Sequence, residues 1–292
     1  MLFFAIDKIP YTAGASPCPT IRVEGMIWCN FFKTLDFAVR LWYTVDINCK
    51  GGAKMIDEKL FGNCNISEFV GVGKLDTIGL VVPSVEENLK KAAGIPADIS
   101  SVGLISSRTG AAGQILAVDE AVKSTNCTVV SVELPRDTKG WGGHGNYIVI
   151  GGKTVSDARR AVEIALDLCN KHSGEVYISD AGHLEFAFSS SAGEALAMAF
   201  GAPIGKAFGF IAASPAAIGF VLADNALKSF SIKLLKYMSP SVGTSHSNEV
   251  IIAFTGETSD VKNAVISARE CGIELLLSLG SVPQSPGTPY IK

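Results

Sequence analysis

The stretch PRDTKGWGGHGN, from Pro135 to Asn146, holds a literal G-x-G-x-x-G running from Gly140 to Gly145. That spacing cradles a pyrophosphate when a strand precedes the glycines and a helix opens after them, because the phosphate sits on the helix N-terminus. Here TVVSVEL before the loop reads as a strand, and NYIVIGG after it is a second β-branched, aromatic run. A strand–loop–strand frame offers no helix N-terminus, so dinucleotide binding is set aside. GGKT, from Gly151 to Thr154, fails as a P-loop because Tyr147 stands where the first glycine belongs. GVGKLDTIG fails because Asp76 occupies the place of the third glycine. The glycines need another reason.

Catalysis would need a convergent nucleophile or acid–base set. The four histidines are His144, His172, His183 and His246, and neither a Ser-His-Asp pattern nor metal-ligand spacing accompanies them. The seven cysteines form no C-x-x-C, their number is odd, and three lie in apolar periodic segments. They read as buried reduced thiols of a cytosolic protein, with no metal and no cofactor. Arg108-Thr109-Gly110 reads as a helix-entry turn, or as an anion site at the helix that follows.

The elements that must position these residues follow from composition and pattern. A chain of 292 residues forms one large domain or two ordinary ones. A net charge of −3 with no basic run argues against nucleic acid and anionic membranes. Charged residues make up only 18% against 48% hydrophobic, a surface that partners are expected to cover in part. LFFAI near the start is interrupted by Asp7 and Lys8 and is too short for a signal sequence. The longest uncharged run, Ala207 to Ala223, is broken by Ser214-Pro215 and reads as a buried strand and helix, not a membrane span.

Self-similarity organises the rest. GIPADISSVGLI from Gly94, VDEAVKS from Val118, Pro135 and SDARRAV from Ser156 recur, in order, about 105 residues later. Their counterparts are GAPIGKAFGFI from Gly201, ADNALKS from Ala223, Pro240 and SDVKNAV from Ser259. The spacing shrinks along the chain through small deletions, the main one in the glycine-rich loop. Each copy reads as a strand pair, a short helix ending at Gly94 or Gly201, a strand, a helix, a hairpin and a last helix. That order predicts an α+β unit, an antiparallel-rich sheet with helices on one face.

Both copies resemble bacterial microcompartment shell domains, over about Glu68 to Ser281. The most specific matches are VDEAVKSTNCTVVSVELPRDTKGWGGHG, GAPIGKAFG and SDVKNAVISAREC. The tandem chain is similar to the large trimeric shell proteins of propanediol- and ethanol-utilisation compartments. The strand pair that opens each copy matches the circularly permuted, ferredoxin-like form of the domain. The resemblance implies an N-terminal extension over 1–66, shell domains over 67–174 and 175–287, and a tail over 288–292. It also implies a homotrimer of pseudo-hexagonal outline that tiles with other shell proteins around encapsulated enzymes. Such a tile has no chemistry of its own and passes small alcohols, diols or aldehydes; its place is the cytoplasm, in the compartment shell.

In that family the loop at this position lines a pore. The resemblance therefore makes Gly140, Trp141, Gly142, Gly143, His144 and Gly145 pore-lining candidates, with Gly243, Thr244, Ser245 and His246 of the shorter second loop. Loops that meet at an axis leave no room for side chains, which glycine relieves. His144 and His246 each precede a small residue and an asparagine and so read as equivalent. A surface hairpin that only turns the chain is the plainer alternative, and a passage between the two domains of one chain is another. Lys123 and Lys228, in D-x-x-x-K-S, match the lysine at the disc edge; the alternative is a solvated helix-end lysine.

NFFKTLDFAVRLWYTV departs from the family. Lys33, Asp36 and Arg40 at helix-compatible spacing suggest an amphipathic helix that docks cargo or anchors to the shell. An upstream extension with the true start at Met55 fits as well, and no site is assigned there. A function from another class, a small-ligand regulatory domain or an enzyme on a similar α+β unit, stands as the competing reading.

Overall fold

The computed structural model describes residues 20–29, 37–46, 66–135, 145–240 and 248–292. The chain divides into two units, Met1–Asn63 and Cys64–Lys292. In the first, β1 (Thr20–Cys29) pairs antiparallel with β2 (Phe37–Asp46), with Thr20 opposite Asp46 and Cys29 opposite Phe37. This corrects the amphipathic helix over FAVRLWYTVD. Phe37, Val39, Leu41, Tyr43 and Val45 repeat every second residue and are β-branched or aromatic for the most part, the period and composition of a strand.

The second unit holds the repeat as two five-stranded antiparallel sheets of the same order. The first runs β3 (Phe69–Gly73), β4 (Thr77–Val82), β5 (Ser101–Ser107), β7 (Asn146–Gly152), β6 (Cys127–Glu133). The other runs β8 (Val176–Ser179), β9 (Gly182–Ser189), β10 (Ala207–Ser214), β12 (Val250–Gly256), β11 (Ile232–Met238). The central strands β5 and β10 are almost continuously buried, as their apolar runs require. The uncharged run resolves into β10 and the first half of the helix that follows it. Among the described residues no helix is long and apolar enough to cross a membrane.

The copies carry matching helices: α1 (Glu87–Ala92), α2 (Ala112–Lys123) and α3 (Val155–His172) in the first, α4 (Glu194–Phe200), α5 (Ala216–Ser229) and α6 (Thr258–Leu277) in the second. On α3, Ala158, Ala161, Val162, Ala165, Leu166 and Cys169 form the buried stripe that lies on the sheet. Thr154 starts this helix by accepting the Asp157 N–H at 3.1 Å. Gly103 on β5 admits the helix: a Cβ there would stand 2.5 Å from Val162. Helix α4 stops at Gly201 with φ +70°, and Gly94 after α1 has φ +67°, the left-handed turn read from the sequence at both places.

The two copies share one buried cluster, and the second keeps another of its own between its sheet and α5 and α6. Ile115, Leu116 and Val122 of α2 share one buried cluster with Leu196 and Phe200 of α4. Helices α3 and α6 lie on their own sheets, and the first copy also buries the outer side of α2 against α4 and β9 of the second.

Candidate functional site

The loops that link β6 to β7 and β11 to β12 leave their sheets at matching corners. Gly140, Trp141, Gly142, Gly143 and His144 lie outside the described residues, as do Gly243, Thr244, Ser245 and His246. Gly145 is described and buried; its N–H donates to the Pro135 carbonyl at 3.1 Å and closes the base of the first loop. Asn146 follows, fully buried, with its Nδ2 donating to the Gly110 carbonyl at 3.4 Å. At the second loop Asn248 accepts the Ala216 N–H on its Oδ1 at 3.3 Å. Each asparagine thus ties its loop to the turn that opens α2 or α5.

They do so from different places. Asn146 stands opposite Ser107 and Val250 opposite Ala213, so sheet register equates Asn146 with Val250, not with Asn248. Counting back from the strands does not align the two histidines as counting forward to the asparagines does.

Buried carboxylates hold the corner rigid. Glu185 on β9 accepts N–H groups from Ala111, Ala112 and Gly113 at 3.0, 2.8 and 3.4 Å. These are the opening donors of α2, which has no side-chain cap of its own. The acceptor at the Arg108–Gly110 turn is therefore one the protein supplies itself, a helix-entry turn capped from the other copy. Burial pushes the Glu185 carboxyl above the usual carboxylate range, against the pull of the N–H donors. Close by, His183 Nε2 and Glu249 Oε2 lie 2.8 Å apart, both buried, and Glu249 immediately precedes β12 at the base of the second loop.

Glu185→Ala should cost about 2–4 kcal/mol, because three buried N–H groups lose their acceptor. Glu185→Gln should cost less, since its amide oxygen can still accept. The raised pKa favours the protonated acid in the fold, so that contribution is present below the unfolded carboxyl pKa and fades as pH rises through the folded one. Thermal unfolding across pH checks this: wild type should lose stability relative to Glu185→Gln as pH increases.

The two lysines of the repeated D-x-x-x-K-S motif sit in unlike surroundings. Lys123 pairs with buried Asp119 at 2.7 Å and also donates to the Ser191 carbonyl of the second copy, with about 39% of its side chain exposed. Asp119 in turn accepts the Gly193 and Leu196 N–H groups at 2.8 and 3.2 Å, capping α4 across the junction. Lys228 pairs with Asp224 at 2.6 Å on an exposed helix face, with 72% of its side chain exposed. The motif is the same in both copies, and in the first it is tied to the backbone of the other copy.

The signal for Asp119 and Glu185 was an acid inside an apolar stretch, the pair Asp119-Glu120 in AVDEAV and Glu185 in HLEFAF. Their partners, more than sixty residues away, carry no local mark. Of the described cysteines, Cys169 has its thiol pushed up to about 12 by burial, which keeps it protonated and unreactive. No group of three or more metal-ligating side chains occurs among the described residues.

Residues 101–180 and 207–286 match the BMC domain family. Each segment starts after the opening strand pair and short helix, as a permuted order of elements requires. The chain is 47% identical over 229 residues to the bacterial microcompartment shell protein PduB of Citrobacter freundii, covering 78% of this chain and 85% of that protein. The structure of EtuB from Clostridium kluyveri superposes with a TM-score of 0.74 at 46% identity, covering 78% of this chain and all of that one. A trimeric microcompartment shell protein PduB superposes with a TM-score of 0.73 at 44% identity, over 77% of this chain and all of that one.

Proposed function

The chain belongs to the BMC-domain family of bacterial microcompartment shell proteins, and from that premise we propose that it is a trimeric tile of such a shell. The observation that carries this is the pair of like sheets fused through one buried cluster. Two such units per chain need three chains to close a six-unit ring. Domains spanning 67–174 and 175–287 form the halves of each subunit, and residues 288–292 strap them. The protein has no catalysis of its own; buried acids that could do chemistry are used as helix caps.

Small alcohols, diols or aldehydes pass through openings lined by the two loops, whose bases are tied down at Gly145, Asn146 and Asn248. Rigid loop ends keep an aperture constant while glycine backbone and hydroxyl groups replace the hydration of a polar solute. Other shell proteins adjoin the tile laterally, with Lys123 and Lys228 at the rim, and encapsulated enzymes lie within.

Electron micrographs of the purified protein should show flat sheets with hexagonal order. Lys123→Ala with Lys228→Ala should abolish the sheets and leave trimers. Discrete soluble dimers from the unmodified protein would favour the regulatory or enzymatic alternative. Normal tiling by the double variant would remove the lysines from the rim.

A further inference from the structure

Several buried polar atoms that find no hydrogen-bond partner among the described residues gather where the C-terminal strap crosses the junction. They are both ring nitrogens of His172 and the hydroxyl of Tyr290. The two rings meet edge to face at 4.8 Å between centroids, and His172 is 1% exposed. Buried polar groups are almost always paired, so a cluster of orphans marks a place where something else binds. Beside Tyr290 lies a partly open cavity of about 340 Å³, lined also by Glu120, Ser189, Ser190, Lys262 and Lys292.

The fold itself does not ask for these groups. The aligned positions of the second copy hold Asn225 in place of Glu120 and Leu275 in place of His172. The helices that carry them pack against each other in both copies. His172 Nε2 stands 3.4 Å from Glu120 Oε2 without hydrogen-bond geometry. The imidazole beside it holds the Glu120 carboxyl below the usual carboxylate range, so the cavity wall carries a negative charge. Burial pushes the Tyr290 phenol up, so it keeps its proton; the Phe188 N–H lies beside its oxygen, and that proton has no acceptor. Lys262 is half-buried and makes no ion pair among the described residues.

The lining thus offers one carboxylate acceptor and, from other elements, lysine and phenol donors. A simple acid would be repelled by Glu120, and a simple amine would leave Lys262 and the phenol unanswered. A neutral alcohol would desolvate both charges without pairing either. We propose that this cavity binds a small zwitterion, an amino acid whose ammonium group meets Glu120 and whose carboxylate meets Lys262 and the Tyr290 hydroxyl. The ligand joins α2 of the first copy to α6 and the strap of the second, so its binding stabilises the junction by mass action. The site stands whether or not the chain forms the trimeric tile.

The test is calorimetric titration of the full chain with L-alanine, propionate, propylamine and 1-propanol, which share a three-carbon frame and differ in charge. L-Alanine should bind at least about tenfold more tightly than each of the others. Glu120→Gln should weaken L-alanine to the level of propionate, and Lys262→Met with Lys292→Met to the level of propylamine. Tyr290→Phe should weaken it less. L-Alanine should raise the melting temperature of wild type and leave that of the two charge variants unmoved. Should thermal unfolding show that a charge variant does not fold, the ranking of the four probes on wild type still decides. No binding by any probe, 1-propanol binding as tightly as L-alanine, or folded charge variants that bind L-alanine as wild type does would each overturn the site.

Discussion

Glu175→Ala should lower the free energy of unfolding by about 3–5 kcal/mol, the cost of stripping a buried charge of its partner. The Glu175 side chain is fully buried and accepts three sets of donors. Arg269 Nη1 reaches both its oxygens at 3.1 and 3.0 Å, and the Tyr290 and Ile291 N–H groups reach Oε1 at 2.7 and 2.8 Å. The same Arg269 nitrogen donates to the Ile291 carbonyl at 2.9 Å. The final residues thus lie as a strap over the turn Ser173–Glu175, where the first copy passes into the second. Further along the strap Gln284 bridges Ile178, and the Tyr290 ring meets the edge of His172 at 4.8 Å between centroids.

Removing the carboxylate leaves a largely buried guanidinium and two N–H groups without their acceptor. Arg269→Ala should cost less, because Glu175 would keep both backbone donors. Denaturant unfolding of the two variants tests that order. Equal losses, or a loss under about 1 kcal/mol for Glu175→Ala, would mean that the strap does not hold the junction.

The repeat was legible because it is written in local terms. Gly94 and Gly201 mark helix ends by backbone conformation, the Ser-Pro break divides an apolar run, and the order of elements follows the change of hydrophobic period. The N-terminal segment was misread where two periods overlap: Lys33, Asp36 and Arg40 are spaced for a helix, but the stretch from Phe37 alternates as a strand does. Local rules could show that Asp119 and Glu185 were anomalous in their apolar surroundings. They could not show which backbone groups those acids serve, since the caps are made between copies and depend on how the sheets pack. The lysine motif shows the same limit from the other side. Asp119–Lys123 and Asp224–Lys228 are alike as sequence, and their environments differ because Asp119 and Lys123 bond to backbone groups of the second copy while Asp224–Lys228 lies on an exposed face.

Placing a bulky side chain in the first loop, as in Gly142→Phe or Gly143→Phe, should reduce permeation of a small alcohol or aldehyde through assembled shells far more than it affects stability. The stability cost is a backbone one, about 1 kcal/mol wherever the glycine has positive φ. The transport cost is multiplied, because the ring of three chains repeats the added side chain around its axis. Trp141→Gly should act in the opposite sense and widen the opening. Leakage from shells assembled with each variant is the measurement, with thermal unfolding of the isolated trimer beside it. Unchanged permeability in both directions would move the passage to the junction within each subunit, and Ser245 and His246 of the second loop would be the next positions to change. A hairpin that merely turns the chain predicts the reverse pattern, a shifted melting temperature with permeability untouched. The two measurements together therefore separate a pore from a turn, whichever way each variant moves.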